Sequence, residues 1–343
     1  MNTRVRMIAV LVALLLLAGS ATGQSKADQL LPWEKLADIP AVSGHEESLS
    51  KSLFEVLTEF HPQTDNLGNV YLTVGNGAPN RLIVTPIDEP GYVVSEITAD
   101  GYLRVQRLPQ APPNPVFDSL NFAQPVLVIA RGGNQVPGVF AGLSVHLQPG
   151  RLNPPKMNHV EELYVDIGAK SAKEVRSAGV NVLDPITLRR PREPIPWPVF
   201  PVGKTGQAGA GTGDRFGLEA LLEVVRRLRE SKAAGTTTIS FVTQQWIGGR
   251  GLNRLLTEIH PDEMIFVGRI QWSQPPGGET KLEEQKSGSG VLLGVPADSK
   301  DAGLKDTLQA LAEKEKISVQ QITSTPPRTS TSRRPSSSIF LTS

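Results

Sequence analysis

The chain has 343 residues, with 35 Lys and Arg against 34 Asp and Glu, a formal net charge of +1, and 5% aromatic residues. That balance leaves no electrostatic footprint for nucleic acid or an anionic surface and few rings for base stacking, so no nucleic-acid partner is expected. No cysteine is present, which excludes disulfides, a thiol nucleophile and cysteine-ligated zinc.

The elements follow in chain order. Arg4 and Arg6 precede an apolar run from Met7 to Ala18, and small residues follow at Gly19-Ser20-Ala21-Thr22-Gly23. This order reads as a signal peptide over residues 1–23, because the apolar run is shorter than the roughly 20 residues that span a bilayer. The expectation is an exported protein, periplasmic or extracellular, with no stable membrane anchor. Ala27 to Phe60 carries Leu30, Leu31, Leu49, Leu53, Phe54 and Leu57 at helical spacing, with Ser43-Gly44-His45-Glu46-Glu47 at the start of the second of two helices. Asp65-Asn66-Leu67-Gly68-Asn69 is turn chemistry before a strand, Val70 to Val74, and Arg81 to Ile87 is an apolar run of buried-strand type ending at Asp88.

Beyond Glu89 helical periodicity fades. Short strands (Tyr92–Ile97, Tyr102–Leu108, Pro125–Ala130) alternate with Gly and Pro turns, and one short helix, Ser171–Ala178, interrupts them. This spacing predicts a small inserted β-barrel or sandwich over residues 89–202. Pro191 to Pro201, with five prolines, reads as a stiff returning linker. Helix and strand then alternate again: Phe216–Lys232 with Leu218, Leu221, Leu222, Val225 and Leu228 on one face, then Thr237–Thr243, Gly251–His260, Met264–Gly268 and Leu304–Glu315. The fold class is therefore α/β, a layered sheet formed from residues 24–88 and 203–322. The Ser-, Thr-, Pro- and Arg-rich residues 323–343 are expected to be a disordered tail.

Open α/β sheets place ligands at the carboxyl ends of their strands. Those ends carry Pro86-Ile87-Asp88-Glu89, Gln244-Gln245-Trp246 and Gly268-Arg269, where carboxylates are scarce and histidines absent. The five histidines do not cluster. His45, His61 and His260 sit near helix ends and His146 in a loop, none with metal-ligand spacing. Gly206 to Gly213 lacks the Gly-Lys-Ser/Thr ending of a phosphate loop. Ser273, Ser287 and Ser289 lack the strand-to-helix elbow of a serine hydrolase.

The ordered series Ala41-Val42-Ser43-Gly44-His45-Glu46-Glu47, Leu67-Gly68-Asn69-Val70, Asp88-Glu89-Pro90-Gly91-Tyr92-Val93-Val94 and Asp100-Gly101-Tyr102-Leu103 resembles metallopeptidase family forty-two, the tetrahedral or glutamyl aminopeptidases. Glu161 to Ala169, Asp184-Pro185-Ile186-Thr187, Asp214-Arg215-Phe216-Gly217 and Gly248-Gly249-Arg250-Gly251 continue the resemblance, which runs from about Ala27 to about Gln321. It implies an α/β catalytic domain split by an oligomer-forming barrel, and two divalent ions, zinc or cobalt. It also implies departures. The first ligand His falls on Pro86, the bridging Asp on Gly213, the general base on Gln245, and further ligands on Trp246 and Gly268; the final His has no counterpart. Proline and glycine side chains donate no lone pair and an indole N–H only donates. A glutamine cannot take the proton that a glutamate base would, so no metal cofactor is expected. Asp88 remains as the family's residue for orienting the first His, or as a strand-end turn residue. Asp214 and Arg215 could form a functional pair or a helix cap, and Trp246, with Trp272, could wall a ligand or plug the cleft.

Three functions stay open on this sequence. The first is a catalytically silent member of the family that assembles with itself, or with an active relative, as a scaffold or regulator. The second is an active metal-dependent aminopeptidase with an atypical site. The third is a peptide- or amino-acid-binding protein using the emptied cleft.

Overall fold

A computed structural model describes residue 36 and residues 38–110, 117–142, 160–188, 212–228, 235–268, 291–296, 303–317, 319–324 and 337–342. The signal peptide over 1–23, the first helix of the Ala27–Phe60 pair, the linker Pro191–Pro201, His146, Trp272, Ser273, Ser287 and Ser289 lie outside the described residues.

Helix α1 (Glu47–Val56) leads through a 3-10 turn (Thr58–Phe60) to strands β1 (Gln63–Thr64), β2 (Val70–Asn76) and β3 (Asn80–Pro86). Then come β4 (Gly91–Ile97), β5 (Leu103–Leu108), α2 (Phe117–Leu120), β6 (Pro125–Ile129), β7 (Gln135–Ala141), β8 (Tyr164–Asp166), α3 (Ala172–Ser177) and β9 (Pro185–Leu188). The chain continues with α4 (Thr212–Leu228), β10 (Gly235–Val242), α5 (Arg250–Leu255), β11 (Glu263–Val267), β12 (Val291–Pro296), α6 (Gly303–Lys314), β13 (Val319–Ser324) and β14 (Ser337–Thr342). The described residues fall in two compact units, one holding 46–88 and the elements from α4 onward, the other 40–45 and 89–188.

The first unit is built on an eight-stranded sheet in the order β1-β2-β10-β3-β11-β14-β12-β13. β10, β3, β11 and β14 run parallel to one another, β2 lies antiparallel on β10, and β12 lies antiparallel on β14. Almost every residue of β3 and β10 is buried, as parallel strands covered on both faces require. Helix α4 buries the stripe anticipated from its spacing, Leu218, Leu221, Leu222, Val225 and Leu228, each side chain contributing about 1.5–3 kcal/mol. It approaches the sheet closely at Gly217, where a Cβ would stand 2.9 Å from the Val267 carbonyl and overlap Thr85. A separate cluster joins Leu82, Val84, Val242, Met264 and Phe266 of the strands to Leu252, Leu255 and Leu256 of α5 and its end.

The disordered tail expected over residues 323–343 is corrected at residues 323–324 and 337–342. Val319–Ser324 is a strand parallel to β12, and Ser337–Thr342 is a strand inserted between β11 and β12. Composition failed as a guide because Ser338-Ile339-Phe340-Leu341 is short and apolar beside a polar run. Its pairing partners at residues 263–267 and 292–294 are distant in sequence.

The second unit is the inserted barrel, closed in the order β4-β5-β8-β7-β6-β9. Every pairing is antiparallel. Alternation along β5 turns Leu103, Val105 and Arg107 inward and leaves Arg104 and Gln106 exposed. The barrel core holds Tyr92, Val94, Leu103, Val105, Val126, Val128, Phe140, Val165 and Ile186, with Tyr92 and Phe140 meeting edge to face at 4.8 Å. Arg107 would be costly there unpaired. Its guanidinium binds Asp118, whose Oδ1 also accepts the Tyr92 hydroxyl at 2.9 Å, and Asn121 donates to that hydroxyl at 2.9 Å. Burial, and then the Asp118 charge, push the Tyr92 phenol well above its ordinary range. Ser171 caps α3 by accepting the Glu174 N–H at 3.3 Å, as the predicted Ser171–Ala178 helix requires.

Candidate functional site

Sheet register brings the singled-out residues together at the carboxyl ends of β3, β10 and β11. Val242 pairs with Pro86 and Phe266 with Val84, so Gly268, two residues past Phe266, falls opposite Pro86. A Cβ on Gly268 would lie 3.0 Å from Pro86 Cδ and 2.8 Å from Phe266 Cε1. The first and last strand-end positions that the resemblance assigns to metal ligands are thus adjacent.

The turn after β10, which carries Gln244, Gln245 and Trp246, is held by three side chains. Asn69, fully buried, accepts the Thr243 N–H at 2.9 Å and donates to the Gly251 carbonyl at 2.9 Å, so one amide fastens both ends of the turn. Asp65 fixes that amide in turn, accepting from Asn69 Nδ2 at 2.7 Å. Gly251 is required beneath it, since a Cβ would come within 2.5 Å of Asn69 Oδ1. Glu46 Oε1 accepts the Gln244 N–H at 2.9 Å, and Asp88 Oδ2 accepts the Trp246 N–H at 2.9 Å. Gln244 itself takes the left-handed backbone at φ 55, which costs a non-glycine residue about 1–2 kcal/mol. These contacts hold the turn in that conformation.

Asp88, Trp246 and Arg215 have definite places among the described residues. Asp88 is buried, and its Oδ2 accepts the Trp246 N–H in the turn after β10. Trp246 is partly buried in that turn. Arg215 is buried in the first turn of α4 and donates through Nη2 to the Ile39 carbonyl at 3.2 Å. Gly213 and Asp214 belong to the same helix, and their side-chain positions lie outside the described residues. Sequence reasoning missed Glu46 and Asn69. Glu46 reads as a helix-start residue and occupies the N-cap of α1, yet makes no side-chain cap bond there. Asn69 reads as turn chemistry, and only its partners at residues 243 and 251 reveal the clamp.

The donor set can be tested against a pair of divalent ions. Among the described residues, no three His, Asp or Glu side chains gather as a metal would need. The side chains of Pro86, Gly268 and Trp246 offer no ligating lone pair. The amide oxygens of Gln244 and Gln245 are buried and, among the described residues, meet no hydrogen-bond donor, but a neutral amide is neither a strong divalent ligand nor a base. The residues described do not fit two such ions.

This architecture, a layered α/β sheet interrupted by a closed six-stranded barrel, is that of the aminopeptidase shells among solved structures. A TET aminopeptidase from a marine-sediment Thaumarchaeota archaeon superposes with a TM-score of 0.74 at 25% identity, covering 93% of this chain and 89% of that one. The Pyrococcus horikoshii TET1 peptidase, described as assembling into a tetrahedron or a large octahedral shell, gives 0.73 at 23% identity over 92% and 90%. The model of the M42 glutamyl aminopeptidase family matches residues 68–333, and the chain belongs to that family. The glutamyl aminopeptidase of Lactococcus lactis is 27% identical over 237 residues, 68% of this chain and 64% of that protein. The chain therefore spans less than two thirds of that relative's length. The lysyl aminopeptidase of Pyrococcus furiosus is 25% identical over 277 residues, 78% of this chain and 74% of that protein.

Proposed function

We propose that this family member is catalytically silent and works as an exported, self-assembling scaffold or regulatory subunit. The observation that carries the reading is the adjacency of Pro86 and Gly268 at the strand ends, where ligands are implied but neither side chain has a donor atom. With Gln245 in place of a carboxylate base, no group at the end of β10 takes a proton from an attacking water. The six-stranded barrel is closed here. Relatives of this fold are described as a dodecamer and as a tetrahedral or octahedral shell, which supports assembly of this chain with copies of itself or with an active relative.

Metal content tests the reading first. Protein purified without chelator and incubated with zinc and cobalt is expected to carry less than a stoichiometric amount of either by mass spectrometry, and to release no N-terminal residues from peptides. Two tightly held ions per chain, with peptide hydrolysis, would establish the aminopeptidase that the family's name describes. Light scattering after size exclusion then reports assembly, and a monomer at all concentrations, alone and with a relative, removes the scaffold role.

A further inference from the structure

We infer that Pro86 and Gly268 are a compensated pair, in which the proline ring fills the volume that any side chain at 268 would need. The inference rests on the silent-subunit reading and deepens it: the row of strand ends is closed to an ion by packing as well as by its lack of donors.

Three observations support it. The pleat places Leu82, Val84 and Pro86 on the same face as Met264, Phe266 and Gly268, because side chains alternate with a period of two and Leu82 pairs with Met264 and Val84 with Phe266. A Cβ at 268 meets Pro86 at 3.0 Å (Cδ) and 3.3 Å (Cγ), and Phe266 Cε1 at 2.8 Å. Approaches this short force neighbours to move. Phe266 is itself locked, 2% exposed within the cluster of Val84, Val242, Leu252 and Met264. No positive φ is recorded for Gly268, so space rather than backbone conformation demands the glycine there. A carboxylate at 268 thus has no room to extend into the row while the ring stands over it. The substitutions at 86 and 268 depend on each other.

A double-mutant cycle on the full chain tests this, with Gly268→Ala, Pro86→Ala and the double variant followed by thermal unfolding. Overpacking by one methyl is expected to lower the Tm by roughly 3–8 °C in Gly268→Ala. Pro86→Ala removes Cγ and Cδ but leaves Phe266 Cε1 at 2.8 Å, so in its background the same change is expected to lower the Tm by measurably less, without abolishing the loss. The cycle cancels the effect of losing proline from the unfolded chain. If Gly268→Ala does not fold but the double variant does, the rescue is the same result in a stronger form. A Gly268→Ala variant that melts with the parent, additive losses, or a collapse that Pro86→Ala leaves unrescued would overturn the inference. Zinc content of the parent is measured on the same preparation. Bound ions with a coupled cycle would overturn silence and leave the packed pair standing, whereas metal-free protein with additive losses would do the reverse.

Discussion

Replacing Asn69 by alanine severs the fastening of the turn that carries Gln244, Gln245 and Trp246. The side chain makes two bonds to buried backbone, the Thr243 N–H at 2.9 Å and the Gly251 carbonyl at 2.9 Å, and a third to Asp65 at 2.7 Å. Thr243 is 1% exposed, so water does not readily replace the lost acceptor, and an unsatisfied buried donor costs about 1–3 kcal/mol. The Gly251 carbonyl has a second lone pair and loses less, so the total is about 2–4 kcal/mol. At roughly 2–4 °C per kcal/mol this lowers the Tm by about 5–15 °C, read by far-UV circular dichroism at fixed concentration. Asn69→Asp separates the components. It keeps the acceptor for Thr243, loses the donor to Gly251, and sets a second carboxylate against Asp65. It is therefore expected to be less stable than the parent at pH 7, with part of the deficit recovered near pH 4 as a carboxyl takes up a proton. An Asn69→Ala variant within about 0.5 kcal/mol of the parent, the usual range for a surface change, would refute the clamp.

Gly251→Ala is expected to destabilise by about 3 kcal/mol or more, or to fail to fold, because its Cβ meets the Thr243 carbonyl and Asn69 Oδ1 at once; urea midpoints measure it. In the barrel, Asp118→Ala leaves the Arg107 guanidinium buried without its carboxylate and is expected to cost about 3–5 kcal/mol. The raised Tyr92 phenol gives a pH signature with a definite sign. A phenol kept neutral in the folded state and free to ionise near pH 10 in the unfolded state stabilises the fold fully below about pH 10. That contribution is lost as pH climbs from there toward the folded value. Tyr92→Phe is expected to flatten this alkaline decline, and an unchanged slope would count against a shielded phenol. Deleting residues 337–343 removes β14 from between β11 and β12, and is expected to expose two strand edges and cause aggregation, visible by light scattering; a soluble protein with parental Tm would show that the sheet does not need this strand.

Local pattern alone determined much of this protein. The apolar stripe of α4, the buried runs of β3, β10 and β11, and the short turn-separated strands of the barrel were legible because each signal lies within one element's own period. The cap at Ser171 was legible for the same reason. The donor-poor strand ends at Pro86, Gln245, Trp246 and Gly268 were visible as residue types, since side-chain chemistry does not depend on folding. What only the tertiary structure decided were the pairings across distance. β14 enters the middle of a sheet because partners at residues 263–267 and 292–294 accept it, and nothing in a Ser-rich neighbourhood announces those partners. Asn69 and Glu46 become clamps because residues 243, 251 and 244 are brought to them from more than 170 positions away. Pro86 and Gly268 become one packed pair because parallel strands, each buried on both faces, put separate segments in register. Hydrogen bonds and steric contacts fall off within a few ångströms, so their effect rests on neighbours that only the folded chain supplies.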